Sequence, residues 1–318
     1  MSTIEKPTSE FAVQCENVYK SYPSRETPGE MRTILNDIDI QVQRGEFVTV
    51  VGPTGCGKST LFRLILGSEI PNAGKVFIAG NNLTGVDRNR GIVFQKYSLF
   101  PHLTVLENIV FGLELERFNL FQQKVIPFFY RRARKAFRKQ ALEYLERTGL
   151  QKSDAHKYAH ELSGGMRQRV AIAQALIMKP QVLLMDEPFG ALDDATREMM
   201  QKFVLEQWEQ THMTIFFVTH SLEEALFLGT RVMVLSQHYT TDKPGANPGN
   251  QGSKIVIDKE VPKGSATSTD LKYSPEISSL MQQIRTDGLS SEHKQHISTF
   301  DLSHPDSYRT VTPEEWRR

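Results

Sequence analysis

The stretch Gly52-Pro53-Thr54-Gly55-Cys56-Gly57-Lys58-Ser59, followed by Thr60, has the spacing GxxxxGK[ST]. Glycines so placed let the backbone curl until successive N–H groups point inward at phosphate oxygens. The helix that follows adds the positive end of its dipole. Lys58 is placed to reach the β- and γ-phosphates of a nucleoside triphosphate, and the Ser59 hydroxyl to ligate Mg2+. Further along, the apolar run Val182-Leu183-Leu184-Met185 leads into Asp186-Glu187-Pro188. An acidic residue at such a strand end holds Mg2+ through water, and the adjacent Glu187 is placed to polarise an attacking water. A third cluster, Leu162-Ser163-Gly164-Gly165-Met166, offers a serine hydroxyl and glycine amides at a helix start, which is a second anion site. Cys56 lies inside the first loop, where a helix N-terminus can depress a thiol pKa and make a redox switch. The reading preferred for it is a small residue that fits the turn.

Those groups need a scaffold that presents loops at strand ends. Phe47 to Val51 is a short β-branched run that reads as a buried strand, and Ser59 to Leu66 reads as the start of a helix. Strands are predicted at Phe11 to Val18, Ile34 to Val42, Val76 to Ile78, Gly91 to Phe94, Val182 to Met185, Thr214 to Val218 and Val232 to Leu235. Helical patterns fill Val105 to Gly149, Ser163 to Met178 and Thr196 to Gln210. Alternating strands and helices predict an α/β fold with a largely parallel sheet covered on both faces. Beyond Ser236 the composition shifts: Thr240 to Ser253 reads as a loop, Lys254 to Val261 as one more strand, and Ser274 to Arg285 as a short helix. The polar stretch Ser290 to Arg318 is expected to be poorly ordered, with His293, His296 and His304 read as surface histidines.

Composition sets limits on partners. The chain has 318 residues, 39% hydrophobic and 24% charged, as ordinary globular proteins do. A formal net charge of +1 gives no global field to recruit nucleic acid or anionic lipid, so any such contact must be local. The two cysteines, Cys15 and Cys56, have no metal-ligand spacing, and a disulfide framework is not expected, which points to the cytosol. No signal-peptide pattern opens the chain and no apolar run is long enough to span a bilayer. A membrane pore, if one is served, must come from another polypeptide.

Taken together, the three motifs resemble those of the ATP-binding subunits of ABC transporters, with Leu162 to Met166 and the following Arg167-Gln168-Arg169-Val170-Ala171-Ile172-Ala173 similar to the family's signature sequence. The resemblance covers roughly residues 10 to 236. It implies a P-loop NTPase cassette with a mixed sheet core, an N-terminal antiparallel β subdomain and a helical subdomain. It implies ATP and Mg2+ as cofactors, and a head-to-tail pair of copies in which Ser163, Gly164 and Gly165 of one copy meet the γ-phosphate held by the P-loop of the other. By the same resemblance Tyr22 is the aromatic that stacks on adenine. Gln95, in Val93-Phe94-Gln95-Lys96, is the glutamine that meets Mg2+ and the nucleophilic water. Ala191-Leu192-Asp193 is the D-loop at the dimer interface, and His220 the switch histidine that contacts the γ-phosphate. Glu187, His220, Gln95 and Lys58 are thus the expected catalytic set, and Ser59, Gln95 and Asp186 the metal set. Met166 stands where glutamine is commoner in the family, and Gln174 where arginine is usual; neither cradles phosphate. Met166 and the run Pro188-Phe189-Gly190-Ala191-Leu192-Asp193 resemble the importer branch for nitrate, sulfonate and taurine. The implied activity is ATP hydrolysis that energises uptake of a small solute. The implied partners are permease subunits and, indirectly, a solute-binding protein, with no nucleic acid. The implied location is the cytoplasmic face of the inner membrane. A soluble, non-transport ABC ATPase is the alternative.

The resulting organisation is a tail over 1–10, a cassette over 11–236 with its helical subdomain about 97–178, and a partly disordered extension over 237–318. Helices near Phe100 to Gly112 are expected to carry motion to the permease. Within the helical subdomain lies an insert, 118–140. Phe118, Phe121, Phe128, Phe129 and Tyr130 crowd its first half, and Arg131, Arg132, Arg134, Lys135, Arg138 and Lys139 its second. Two readings stand for it: contact with the permease or acidic headgroups, or a solvated helix whose Phe137, Ala141 and Leu145 face the core.

Overall fold

The computed structural model describes residues 10–24, 28–96, 98–117, 127–242, 251–262 and 274–308, with side chains at 127–130 left out. The chain divides into two compact units, Met1–Asp87 with Thr214–Arg318, and Arg88–Met213.

The first unit opens with two long antiparallel strands, β1 (Phe11–Pro23) and β2 (Met31–Gln43), in register from Phe11 opposite Gln43 to Pro23 opposite Met31. Both are longer than their alternation predicts. The regular pattern in β1 breaks at a bulge between Cys15 and Val18, where Asn17 takes a left-handed φ of 47°. Val13, Cys15, Val18, Ile38, Ile40 and Val42 are buried between the strands and the rest of the unit. The strand β3 (Phe47–Val51) is buried at all five positions and feeds α1 (Lys58–Leu66). Two more strands, β4 (Ala73–Ile78) and β5 (Asn81–Asn82), complete an antiparallel sheet ordered β2-β1-β4-β5.

The second unit starts with β6 (Arg90–Val93), runs through α2 (Val105–Arg117), α3 (Pro127–Arg147) and α4 (Gly164–Leu176), then forms β7 (Val182–Asp186) and α5 (Asp194–Thr211). The pair β6 and β7 is parallel, with Arg90 opposite Val182 and Val93 opposite Met185. The helix α2 packs on α3 and α4, and Val105, Ile109, Val110, Ala141, Leu145, Val170 and Ile172 of these helices are buried. Its start is a capping box that the sequence displays as Thr104-Val105-Leu106-Glu107. The Thr104 amide donates to the Glu107 carboxylate at 3.1 Å, and the Glu107 amide to Thr104 Oγ1 at 3.3 Å. Asn108, fully buried, donates to the carbonyls of Phe100, Leu103 and Thr104 and so ties the preceding turn to the helix. Of the residues expected to face the core from α3, Ala141 and Leu145 do so; Phe137 is half-buried, and Phe118 to Tyr130 lie outside the described side chains.

The chain then returns to the first unit with β8 (Thr214–Val218), α6 (Leu222–Leu228), β9 (Arg231–Ser236), β10 (Tyr239–Thr240), β11 (Lys254–Glu260), α7 (Pro275–Gln283) and β12 (Gln295–His296). Within this unit the hydrogen-bonded order is β11-β9-β3-β8. The strands β8 and β9 run parallel to β3 and are buried throughout, as strands covered on both faces must be, while β11 runs antiparallel and makes the sheet mixed. Arg231 opens β9 with 1% of its side chain exposed. It donates two bonds of 2.7 Å to Asp258, one of 2.7 Å to the Gln41 carbonyl and one of 3.2 Å to Glu46.

Residues 290–308, expected from their polarity to be poorly ordered, pack against β11. Phe300 and Leu302 are buried, Asp301 bridges Ile257 in a parallel register, and its carboxylate receives Lys259 and Gln283. His304, expected at the surface, is buried, and its pKa is pushed down to about 4 by burial and by the Arg231 charge. Polarity misleads here because polar groups such as the Asp301 carboxylate are satisfied by protein partners rather than by water. Residues 309–318 are outside the described range. Among the described residues no helix is long and apolar enough to cross a membrane.

Candidate functional site

The β3–α1 turn carries the first motif. Gly55 and Gly57 have φ of 80° and 101°, a region glycine enters without a Cβ penalty. Gly57 has a second constraint: a Cβ there would lie 2.8 Å from Ile34 Cγ2 and 2.9 Å from Leu35 Cδ2. The strand β2 is therefore the floor of the turn. That floor is held in turn by the C-terminal part of the chain, since the Ser253 amide donates to the Ile34 carbonyl at 2.8 Å and the Asn36 amide to the Ser253 carbonyl at 2.9 Å. Gly52 meets the Leu235 carbonyl of β9, with no room for a side chain.

Lys58 is buried, and its ammonium donates to the Gly52 and Pro53 carbonyls at 2.8 and 3.0 Å. The lysine thus folds back over the loop, and phosphate oxygens would compete with those carbonyls for it. Thr54, Gly55 and Ser59 are exposed, while Cys56 and Thr60 are buried. Burial pushes the Cys56 thiol up, with Lys58 pulling the other way, so the thiol is not activated. Its Sγ lies 2.7 Å from where a Gly52 Cβ would stand, which makes it a filler of the turn.

Gly57→Ala is expected to weaken ATP binding more than Gly55→Ala, by about tenfold or more. Both add left-handed strain of about 1–2 kcal/mol, but only position 57 also collides with a packed strand. Calorimetric titration with ATP checks the order of the two.

In the same unit, Tyr22 is half-buried near the end of β1. Its hydroxyl donates to Glu69 and is hydrogen-bonded by Thr60 of α1, and the Lys20 ammonium sits 5.1 Å from its ring centroid. Glu69 also pairs with Lys20 and Arg63, both at 3.2 Å, and this network fixes the ring. His220 is exposed just beyond β8, next to Ser221, whose hydroxyl caps α6 by accepting the Glu224 amide at 3.2 Å.

In the second unit, Asp186 ends β7 half-buried, and Glu187 turns the chain with a left-handed φ of 48°. A non-glycine residue held there stores about 1–3 kcal/mol of strain, a pattern that clusters at functional sites. Gln95 Nε2 donates to Glu187 Oε2 at 2.9 Å, so two residues far apart in sequence share one hydrogen bond. Ser163 caps α4 by accepting the Met166 amide at 3.2 Å. Gly165 is packed so closely that a Cβ would lie 3.2 Å from the Ala191 carbonyl, which joins the Ser-Gly-Gly turn to the Ala191-Leu192-Asp193 loop. Asp193 then caps α5 through the Thr196 amide at 3.0 Å, and that bond holds its carboxyl below the usual range. Glu69, the Ile34–Leu35 floor and the Arg231 cluster are supporting residues that sequence reading did not single out. Arg231 and Asp258 did carry a signal, as opposite charges inside apolar runs.

The family described as "ABC transporter" matches residues 35–190. A nitrate import ATP-binding protein of Synechocystis sp. (strain ATCC 27184 / PCC 6803 / Kazusa) is 41% identical over 264 residues, 80% of this chain and 90% of that one. An aliphatic sulfonates import ATP-binding protein of Bacillus cereus is 42% identical over 229 residues, 72% and 81% of the two chains. The solved dimeric structure of an ATP-binding cassette in a post-hydrolysis state, bound to ADP and Pi, superposes with a TM-score of 0.63 at 29% identity, covering 79% of this chain and 99% of that one. With its motifs on the elements described above and these relatives over most of its length, the chain belongs to the ABC transporter family and forms its ATP-binding, ATP-hydrolysing cassette.

Proposed function

We propose that this chain energises uptake of a small oxyanion, of the nitrate or sulfonate class, through a separate membrane permease. Two copies work head to tail on two ATP molecules at the cytoplasmic face of the membrane. The observation that carries the reading is the presence of two glycine-rich helix starts, one in each unit, each suited to an anion. One, at α1, has a lysine; the other, at α4, offers only Ser163 and glycine amides. A start without lysine or metal ligand completes a site rather than making one. The P-loop, Gly52 to Thr60, holds the triphosphate, and Tyr22 the adenine. Ser59, Asp186 and Gln95 offer hydroxyl, carboxylate and amide oxygens, the donor set Mg2+ takes. Gln95 gives its Nε2 to Glu187, which leaves Oε1 as its ligating atom. Glu187 accepts a proton from the attacking water, and His220 contacts the γ-phosphate.

Loss of the γ-phosphate removes the bridge between two copies and lets them open, a two-state motion that a permease can use. Phe100, tilted against Phe111 at a ring-centroid distance of 4.6 Å and itself 36% exposed, lies in the Phe100–Gly112 segment assigned to pass that motion on. The nitrate and sulfonate relatives support the solute class, which a screen of solute-loaded binding proteins for ATPase stimulation in the permease complex would identify.

A mixing experiment tests the shared site. Lys58→Ala and Ser163→Ala chains are each expected to be nearly inactive. Mixed, they form one site with the intact P-loop of the Ser163→Ala copy and the intact Ser163 of the Lys58→Ala copy, and activity returns to part of the wild-type level. No recovery on mixing, with dimers present, overturns the head-to-tail arrangement. Ser163→Ala by itself costs about 1 kcal/mol of helix capping, too little to unfold the chain.

A further inference from the structure

The basic helix α3 divides its cations in two. Arg134 is turned toward α2, at 2.8 Å from Glu114 and 3.9 Å from Glu107, and Arg138 joins it at 3.8 Å from Glu107. Arg131, Arg132, Lys135 and Lys139 are exposed, and no carboxylate among the described residues stands within 4.0 Å of them. Arg131, Lys135 and Lys139 recur at i, i+4 and i+8, so they form one stripe down the helix, with Arg132 beside it. At 1.5 Å per residue the stripe is about 12 Å long. Its one other exposed member is Ala136, and no acidic residue occurs between Pro127 and Leu142. The rest of the chain does not share this bias: the whole chain carries a formal charge of only +1, so without these six cations it is net negative.

We infer that this stripe binds the headgroups of anionic phospholipid. A protein partner needs an apolar anchor at the centre of the contact, and among the described side chains between Arg131 and Lys139 the exposed face has nothing larger than the Ala136 methyl. A lipid surface needs no shape complement, only negative charge within a Debye length, and each basic residue at such a surface strengthens attachment by about fivefold. The two cations locked to α2 fix the helix so that the other four face outward together. The inference requires neither ATP turnover nor a permease, and so stands apart from the transport reading.

The test is co-sedimentation of the full chain with vesicles of phosphatidylcholine alone or with about one-third phosphatidylglycerol, at low and high salt. The chain is expected to bind the phosphatidylglycerol vesicles at low salt, to release in high salt and to ignore phosphatidylcholine. The quadruple variant Arg131→Gln, Arg132→Gln, Lys135→Gln, Lys139→Gln is expected to lose several hundredfold in affinity, about fivefold per charge. Its ATPase activity and melting temperature should stay as in the wild type, because these exposed side chains make no ion pair with a described residue. A control pair, Lys75→Gln with Lys202→Gln, exposed elsewhere, is expected to bind as the wild type does. Equal binding to both vesicle types, or undiminished binding by the quadruple variant, overturns the inference. So does loss of permease assembly in the quadruple variant without any vesicle binding by the wild type, which would assign the stripe to a protein.

Discussion

Glu187→Gln is expected to slow ATP turnover by about 10^2–10^4-fold while leaving ATP binding intact. The carboxylate sits just past β7 in a left-handed turn and accepts from Gln95 at 2.9 Å. A glutamine carbonyl oxygen can accept the same bond, so the local structure survives the exchange. What is lost is the only group at that position able to take a proton from water. With binding preserved and hydrolysis removed, ATP is expected to hold two copies together. Steady-state turnover with light scattering reads both effects at once: low turnover with an ATP-dependent dimer supports the assignment. Turnover within a few-fold of wild type would move the base elsewhere in the chain, and a variant that binds no ATP would show that Glu187 shapes the pocket instead.

The largest effect on stability is expected from Arg231→Met. The guanidinium is 1% exposed and answers three groups at once, Asp258, Glu46 and the Gln41 carbonyl. Removing it leaves buried carboxylates without a counter-charge, which costs about 3–5 kcal/mol. Glu46 already sits above its usual pKa because burial outweighs the pull of Arg231, and losing that pull raises it further. For a chain this size the melting temperature should fall by about 10 °C. The double variant Arg231→Met with Asp258→Leu is expected to recover part of the loss, because an apolar pair replaces an unpaired charge. Recovery would show that desolvation, not the loss of a favourable bond, is the source of the damage. The cluster also bears on function. It opens β9, whose Leu235 carbonyl abuts Gly52 in the β3–α1 turn, the proposed nucleotide site.

The candidate site was readable from the sequence because its motifs are contiguous backbone of the kind that binds phosphate. Gly52 to Thr60 and Leu162 to Met166 each carry their turn, their helix start and their ligand groups within one short string, so spacing alone reports the chemistry. Buried parallel strands such as Phe47–Val51 and Thr214–Val218 were equally plain, because strands covered on both faces must be apolar throughout. Edges were less legible. The true length of β1 and β2 depends on a bulge and on cross-strand partners that local alternation does not encode.

Tertiary structure alone decided which charges are paired. Arg231 and its partners Asp258 and Glu46 lie 27 and 185 residues apart, and Ser253 supports the Ile34 floor beneath Gly57 from the far end of the chain. The six cations between Arg131 and Lys139 look alike in sequence; only the position of Glu107 and Glu114 on α2 turns two of them inward and leaves four facing out. The tail residues Phe300 and Leu302 were hidden by polar neighbours that find protein partners. A sequence fixes the chemistry that neighbouring residues perform together, because chain connectivity holds those groups in place. The environment of a charge depends on what packs against it, and long-range contacts, which no local pattern carries, set that environment.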